Sequence, residues 1–221
     1  NIADVDERVR AQIVDVLDHR RLDTDVGHFR LTPPTAENIA LWCRDRLDLP
    51  FDGVTLARVE VREGTRLTAV CNGRPSLGQD DPMVNVTRSY EFSASHRLHS
   101  PALSDEENLR LFGKCNNERG HGHDYRVEVT VCGPVRPETG TVVDIPWLDD
   151  VAQREVVERL DYKHLNTDVP ELRDTPATTE NVARAVFDRL APAFSEVSAS
   201  LRRVRIYETP KSWFDCEAED E

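Results

Sequence analysis

Three histidines are spaced so that their imidazoles can bind one metal ion. His121 and His123 lie two residues apart at the start of a predicted strand, and residues two apart on a strand point to the same side. His96 ends the preceding predicted strand and supplies a third nitrogen if the two strands pair. Three histidines without a fourth protein ligand are typical of an open, catalytic zinc site. Two alternatives remain: His99 replaces His96 as the third ligand, or the His-x-His pair merely lies on a half-exposed strand.

A single cysteine lies close to these histidines in the sequence. Cys115 comes six residues before the His-x-His pair, in a polar loop between Lys114 and Arg119. Nearby cations and a metal ion lower the pKa of a thiol and favour the thiolate, so Cys115 is a candidate base or nucleophile. Cys43 and Cys132 occupy apolar, periodic positions and are expected to be core residues.

The chain that must position these residues contains an internal repeat. Residues 17–47 align without a gap with residues 160–190, at an offset of 143, and 16 of the 31 pairs are identical. Similarity of this extent indicates two homologous modules. Residues 73–82 are rich in Gly, Pro and Asp, which is typical of a linker. We therefore predict a partial module over 1–74, a linker over 75–84 and a complete module over 85–221.

Hydrophobic periodicity predicts the elements of both modules. In the second, the expected order is strand, strand, helix, helix, strand, strand, at residues 90–96, 125–132, 147–160, 179–190, 201–208 and 213–217. In the first, only the last four elements are visible, at residues 5–17, 37–47, 54–63 and 66–70. Because strand pairs and helices alternate in blocks, the fold class is α+β. An isolated module leaves sheet edges that need partners, so a ring-like homo-oligomer is expected.

Composition argues against several classes of partner. The 221 residues include 41 acidic and 28 basic side chains, a formal net charge of -13. Nucleic acids and anionic membranes need a cationic face, so neither is expected to bind. No apolar run approaches the roughly 20 residues of a membrane span, and no basic-then-apolar signal opens the chain. These features predict a cytoplasmic protein, and its five scattered cysteines do not predict a disulfide framework.

Six short segments of the second module form a recognisable set. They are residues 92–98 (FSASHRL), 103–108 (LSDEEN), 112–117 (FGKCNN), 120–123 (GHGH), 178–181 (TTEN) and 207–209 (YET). Together they resemble the 6-pyruvoyl-tetrahydropterin synthase family, which includes the 6-carboxy-tetrahydropterin synthases. The resemblance runs from about residue 90 to the end of the chain, whereas the first module resembles only the rear half of the family's module.

This resemblance implies the tunnelling fold, in which antiparallel four-stranded sheets, each with two helices, assemble into a barrel. It also implies a zinc-dependent carbon-oxygen lyase that converts 7,8-dihydroneopterin triphosphate with loss of triphosphate. Two alternatives stay open: a 6-carboxy-5,6,7,8-tetrahydropterin synthase of the queuosine/deazapurine pathway, and a non-catalytic pterin- or metal-binding homologue. The five residues between Cys115 and His121 are closer to the pyruvoyl enzymes.

Roles for individual residues follow from the resemblance, position by position. Cys115 would abstract a proton from the substrate's side chain. Glu208 would anchor the pterin, because a carboxylate can accept two hydrogen bonds from a planar donor pair. The repeat also matches Glu63 to Glu208, but we favour Glu208. The zinc ligands would be His96, His121 and His123, and the residues flanking the ring would be Thr178 and Thr179.

One motif of the family is altered. The family follows the aspartate of a Leu-Asp-His motif with a histidine that works with the cysteine, but here Asp161 is followed by Tyr162. Tyrosine, with a pKa of about 10, is a poor proton acceptor at neutral pH. The first module keeps Asp18 and His19, so we hypothesise a split site in which Asp18 orients His19 toward the Cys115 site. The competing hypothesis is that His164 serves Cys115 locally.

Overall fold

The fold is known from a computed structural model that describes residues 1–47, 53–73 and 82–219. These residues form two compact units. Unit 1 comprises Asn1–Thr87 and Val131–Asp144, and unit 2 comprises Arg88–Thr130 and Ile145–Glu221. Within the described ranges, no helix has both the length and the apolar character needed to cross a bilayer.

Helices occur at matching positions in the two halves of the chain. The α-helices are α1 (Ile2–Val9), α2 (Asp15–Leu17), α3 (Leu22–Asp25), α4 (Ala36–Leu47), α5 (Asp105–Phe112), α6 (Ile145–Ala152), α7 (Glu158–Leu160), α8 (Leu165–Asp168) and α9 (Thr179–Leu190). A π-helical turn joins α1 to α2 at Arg10–Val14, and another joins α6 to α7 at Gln153–Val157. The bounds of the two turns differ by the same 143 residues as the sequence repeat.

Strands make up the rest of the regular structure and confirm the predicted α+β class. They are β1 (Arg58–Glu63), β2 (Leu67–Asn72), β3 (Met83–His96), β4 (His121–Pro134), β5 (Lys163–His164), β6 (Ser200–Thr209) and β7 (Ser212–Glu217). The long strands β3 and β4 contribute residues to both units.

Unit 1 is built around α4 and an antiparallel strand pair. β1 and β2 pair with Val59 opposite Cys71, and α4 packs against both strands. The side chains of Val59, Cys71 and Ala40 are buried there. Residues 131–144 belong to this unit as well, and the Thr35 hydroxyl donates a hydrogen bond to the Gly140 carbonyl.

Unit 2 holds the predicted chemistry. Its strands lie in the order β3-β4-β6-β7, β6 and β7 pair antiparallel, and α9 packs against both of them. The short strand β5 runs parallel to β3, with His164 opposite Ser95. Val127 and Val129 on β4 are fully buried. Because successive side chains on a strand alternate between its faces, the odd-numbered residues from His121 onward share this buried face.

The structure differs from the predicted elements in several places, among them β3, the linker and α5. β3 begins at Met83, seven residues before the predicted strand, because Val84 and Val86 continue its buried face. The predicted linker over 75–84 lies mostly outside the described residues, and its last two residues belong to β3. The prediction contained no counterpart of α5, which begins with a capping box formed by Ser104 and Glu107. The division into two modules stays a prediction, since residues 131–144 belong to unit 1.

Candidate metal centre and active site

The three predicted ligands lie together in unit 2. His96 ends β3, and His121 and His123 open β4. The Nε2 atoms of His96 and His121 are 3.1 Å apart, and one ring nitrogen from each of the three histidines lies within 4.8 Å of the others. A tetrahedral ion with Zn–N bonds of about 2.0–2.1 Å separates its nitrogen ligands by roughly 3.3 Å. The cluster therefore has the dimensions of a three-histidine metal site.

A backbone carbonyl orients the most buried of these rings. His96 has no exposed surface, and its Nδ1 lies 2.7 Å from the carbonyl oxygen of Ala177. A carbonyl only accepts hydrogen bonds, so Nδ1 carries the proton and Nε2 keeps its lone pair for a metal ion. Gly120 has a φ of +67°, and a Cβ there would lie 2.8 Å from the His96 carbonyl oxygen. A larger residue at position 120 would therefore press on the end of β3.

Three buried polar atoms without a hydrogen-bond partner belong to side chains on the same face of β4. Among the described residues, His121 Nδ1, His123 Nε2 and the Tyr125 hydroxyl are buried and accept or donate no hydrogen bond. Such buried orphans are uncommon, and each costs about 1–3 kcal/mol. A metal ion bound by the imidazoles would give a partner to ring nitrogens of these histidines that otherwise have none. We did not predict a role for Tyr125 from the sequence, although its spacing from His123 places it on the same face of the strand.

The carboxylate of Glu208 faces the imidazoles from β6. Its Oε1 lies 3.3 Å from His96 Nε2 and 3.7 Å from His123 Nε2. The sequence placed Glu208 as a pterin anchor, and the structure brings it to the metal centre. Thr178 is the N-cap of α9, and its side chain accepts a hydrogen bond from the Asn181 amide. Because Ala177 holds His96, the segment bearing Thr178 and Thr179 lies beside the same centre.

Burial keeps two of the proposed ligands, His96 and His121, in the form that binds metal. It is the largest cause that lowers the pKa of His96, and the nearby His121 and His123 lower it further. Burial, followed by the nearby His123, also lowers the pKa of His121. Both rings are therefore neutral at neutral pH, as metal binding requires.

These shifts predict how the stability of the metal-free protein depends on pH. In the unfolded chain His96 and His121 bind protons as the pH falls through about 6.5, whereas in the folded protein they bind protons only at a lower pH. The free energy of unfolding is therefore not reduced by these two histidines well above pH 6.5, and it decreases as the pH falls below that value. Urea midpoints measured between pH 7.5 and 5.5 in the presence of a chelator test this. The variant His121→Gln should show a weaker dependence, and an equal dependence in both proteins would contradict the prediction.

Cys115 lies in a turn tied to the end of β3. It belongs to a 3₁₀ turn over Gly113–Asn116 and is partly exposed. Its carbonyl accepts a hydrogen bond from the Leu98 amide, 2.8 Å away. Asn116 Oδ1 lies 3.1 Å from Nδ1 of His99, the alternative third ligand, and His99 is not part of the histidine cluster. The turn thus holds the thiol in the segment that leads to the metal centre.

Asp161 and Tyr162 follow α7 and form a turn that we call the second corner, and Asp18 and His19 form the corresponding first corner after α2. The two corners differ in their side-chain contacts. Asp161 Oδ1 accepts a hydrogen bond from the Ser93 amide at 2.8 Å, and the next residue, Tyr162, is 87% exposed with a φ of +56°. His164 has a buried Nδ1 without a partner among the described residues. Its Nε2 would lie 3.1 Å from a Cβ at Gly120, so His164 lies beside the loop that joins Cys115 to β4.

The first corner has the same backbone shape and a different side chain. His19 has a φ of +55°, within a degree of that of Tyr162. Its ring is 94% exposed, and its Nε2 lies 3.7 Å from Asp18 Oδ2. Asp18 and His19 belong to unit 1, whereas Cys115 and the three histidines belong to unit 2.

Comparisons with known proteins show similarity to one family. The model of a family described as 6-pyruvoyl tetrahydropterin synthase matches residues 1–74 and 85–219. The chain is 47% identical to a 6-pyruvoyl tetrahydrobiopterin synthase of Drosophila melanogaster over 131 residues, which are 59% of this chain and 77% of the relative. It is 48% identical to the Homo sapiens protein of that name over 126 residues, 57% of this chain and 86% of the relative.

A solved structure is also similar. The structure of Caenorhabditis elegans 6-pyruvoyl tetrahydropterin synthase aligns with a TM-score of 0.60 and 41% identity, and the alignment covers 64% of this chain and all of that chain. This similarity confirms the predicted tunnelling fold. Assembly into a barrel stays a prediction.

Proposed function

This chain belongs to the 6-pyruvoyl tetrahydropterin synthase family, and we propose that it is a lyase that converts 7,8-dihydroneopterin triphosphate to a 6-pyruvoyl tetrahydropterin with loss of triphosphate. The observation that carries this proposal is the cluster of His96, His121 and His123, which Glu208 faces. The turn that bears Cys115 lies between His96 and His121 in the chain. The names of the Drosophila and human relatives support the same activity. The conversion needs no external oxidant, since the ring gains the electrons that the side chain loses.

The metal ion is the first component of the mechanism. We infer that His96, His121 and His123 hold Zn²⁺, because imidazole nitrogens suit this ion and three protein ligands leave a position open for substrate. When bound, the ion polarises the side-chain oxygens of the substrate and acidifies the adjacent C–H bond. The hydrogen bond from His96 to Ala177 fixes the ring that is most deeply buried.

Cys115 accepts the proton in this mechanism. As a thiolate it can take a proton from carbon within its reach, and the turn that holds it is fastened to Leu98, two residues after the ligand His96. Glu208 anchors the amino-pyrimidinone edge of the pterin through paired hydrogen bonds. Thr178 and Thr179 flank the ring from the segment next to Ala177.

A split site supplies the histidine that works with Cys115. Tyr162 replaces this histidine in the second corner, and the Asp161 carboxylate is engaged by the Ser93 amide. The first corner keeps Asp18 beside His19, with His19 Nε2 3.7 Å from Asp18 Oδ2, and a carboxylate in this place can orient the ring. We therefore assign Asp18 and His19 to the catalytic centre, and His164 is the local alternative. The chain acts as a homo-oligomer in this proposal.

Product analysis tests the function directly. The zinc-loaded protein is expected to release inorganic triphosphate from 7,8-dihydroneopterin triphosphate and to yield a product with the mass of 6-pyruvoyl tetrahydropterin. Protein stripped with a chelator is the control and should release at least about 10²-fold less, because metal-assisted acidification contributes several kcal/mol. A carboxylated product would instead assign the chain to the deazapurine branch of the family. A metal-loaded protein that releases no triphosphate would be a binding homologue.

A further inference from the structure

Tyr125 is a buried residue next to the metal centre that the mechanism above does not use. It is 1% exposed, and its ring stacks on Phe92 with the centroids 4.9 Å apart. The same ring lies 5.6 Å from the ring of His123 and 6.1 Å from that of His96. Tyr125 thus packs directly against two of the three ligands.

The hydroxyl of this residue has no partner in the part of the chain that the structure describes. Tyrosine hydroxyls that are buried usually find a hydrogen-bond partner, because an unpaired one is unfavourable. Phenylalanine would fill the same space without that penalty. A buried tyrosine with no acceptor is therefore best explained by an acceptor that arrives with a ligand.

Glu208 faces the same two imidazoles that Tyr125 packs against. Its Oε1 lies 3.3 Å from His96 Nε2 and 3.7 Å from His123 Nε2. Tyr125 therefore lies among the residues proposed to hold the metal ion and the pterin. A tyrosine hydroxyl can donate a hydrogen bond to an oxygen placed there.

We propose that Tyr125 is a further catalytic residue, whose neutral hydroxyl donates a hydrogen bond to a side-chain oxygen of the bound pterin substrate. This inference rests on the proposed function. As Cys115 removes the proton from carbon, negative charge accumulates on the neighbouring oxygen, and a donor fixed in a buried site stabilises that charge. The hydroxyl keeps its proton throughout, so the step adds no proton transfer to the mechanism.

The variant Tyr125→Phe tests this proposal, because it removes only the hydroxyl and keeps the ring on Phe92. We expect kcat to fall by about 10²-fold, as for the loss of one oxyanion donor, with a smaller change in KM. Bound metal should be unchanged. The thermal midpoint should stay the same or rise, since the variant loses a buried polar group that has no partner.

Tyr90→Phe is the matched control. Tyr90 is also buried, on β3, but its hydroxyl donates a hydrogen bond to Asp149 at 2.9 Å. Tyr90→Phe should therefore lower the thermal midpoint and leave kcat within about twofold, the reverse of Tyr125→Phe. A Tyr125→Phe enzyme with unchanged kcat, or one that loses stability and activity together, overturns the inference. If the wild-type protein releases no triphosphate, the proposed function fails instead.

Discussion

Replacing Cys115 by alanine is expected to reduce triphosphate release by about 10²–10⁴-fold while the protein keeps its metal. The substitution removes the proposed proton acceptor, and a positioned acid–base group contributes about 10²–10⁴-fold. The three histidines do not depend on the thiol, because His96 is oriented by Ala177 and the other two by β4. Initial rates under saturating substrate, together with the bound metal measured by elemental analysis, test this expectation.

The other cysteines supply a control for this variant. Burial raises the pKa of Cys43 to about 11, and burial likewise raises the pKa of Cys216, so both stay protonated as thiols at neutral pH. Cys216→Ala, in the same unit as Cys115, should therefore keep its rate within about twofold. If Cys115→Ala also retained its rate, the proton would have to leave to another group and the proposed role would be wrong.

The sequence predicted the histidine cluster better than its surroundings. Strand periodicity alone places His121 and His123 on one face, and pairing of the two strands brings His96 to them. Periodicity does not reveal which buried polar atoms lack a partner, so we predicted no role for Tyr125 from the sequence. The hydrogen bond from His96 to Ala177 joins residues 81 positions apart, and only the folded chain shows it.

Local signals explain the elements that the prediction missed. The capping box of Ser104 and Glu107 is a recognisable helix start, and it would have predicted α5. The alternation of Val84 and Val86 would likewise have extended β3 toward its observed beginning. No short sequence signal predicts the hydrogen bond from the Ser93 amide to the Asp161 carboxylate, because the two residues are 68 positions apart and meet only in the folded chain.

The two corners of the repeat share the same strained backbone conformation. His19 and Tyr162 adopt φ values of +55° and +56°, and a non-glycine residue in this region costs on the order of 1–3 kcal/mol. The shared value indicates that both corners keep the same backbone shape, although one carries an imidazole and the other a phenol. Of these two residue types, histidine is the one that most often serves as a general acid or base.

His19→Ala is therefore expected to lower turnover by about 10²–10⁴-fold and to leave the metal content unchanged, because His19 is not one of the clustered ligands. Tyr162→Phe is the matched control and should keep its rate within about twofold, since it removes only a hydroxyl from a side chain that is 87% exposed. The rates of His19→Ala and His164→Ala separate the two hypotheses for the partner of Cys115. If His164→Ala lost activity and His19→Ala retained it, the catalytic histidine would come from the second corner, and the first would serve the fold alone.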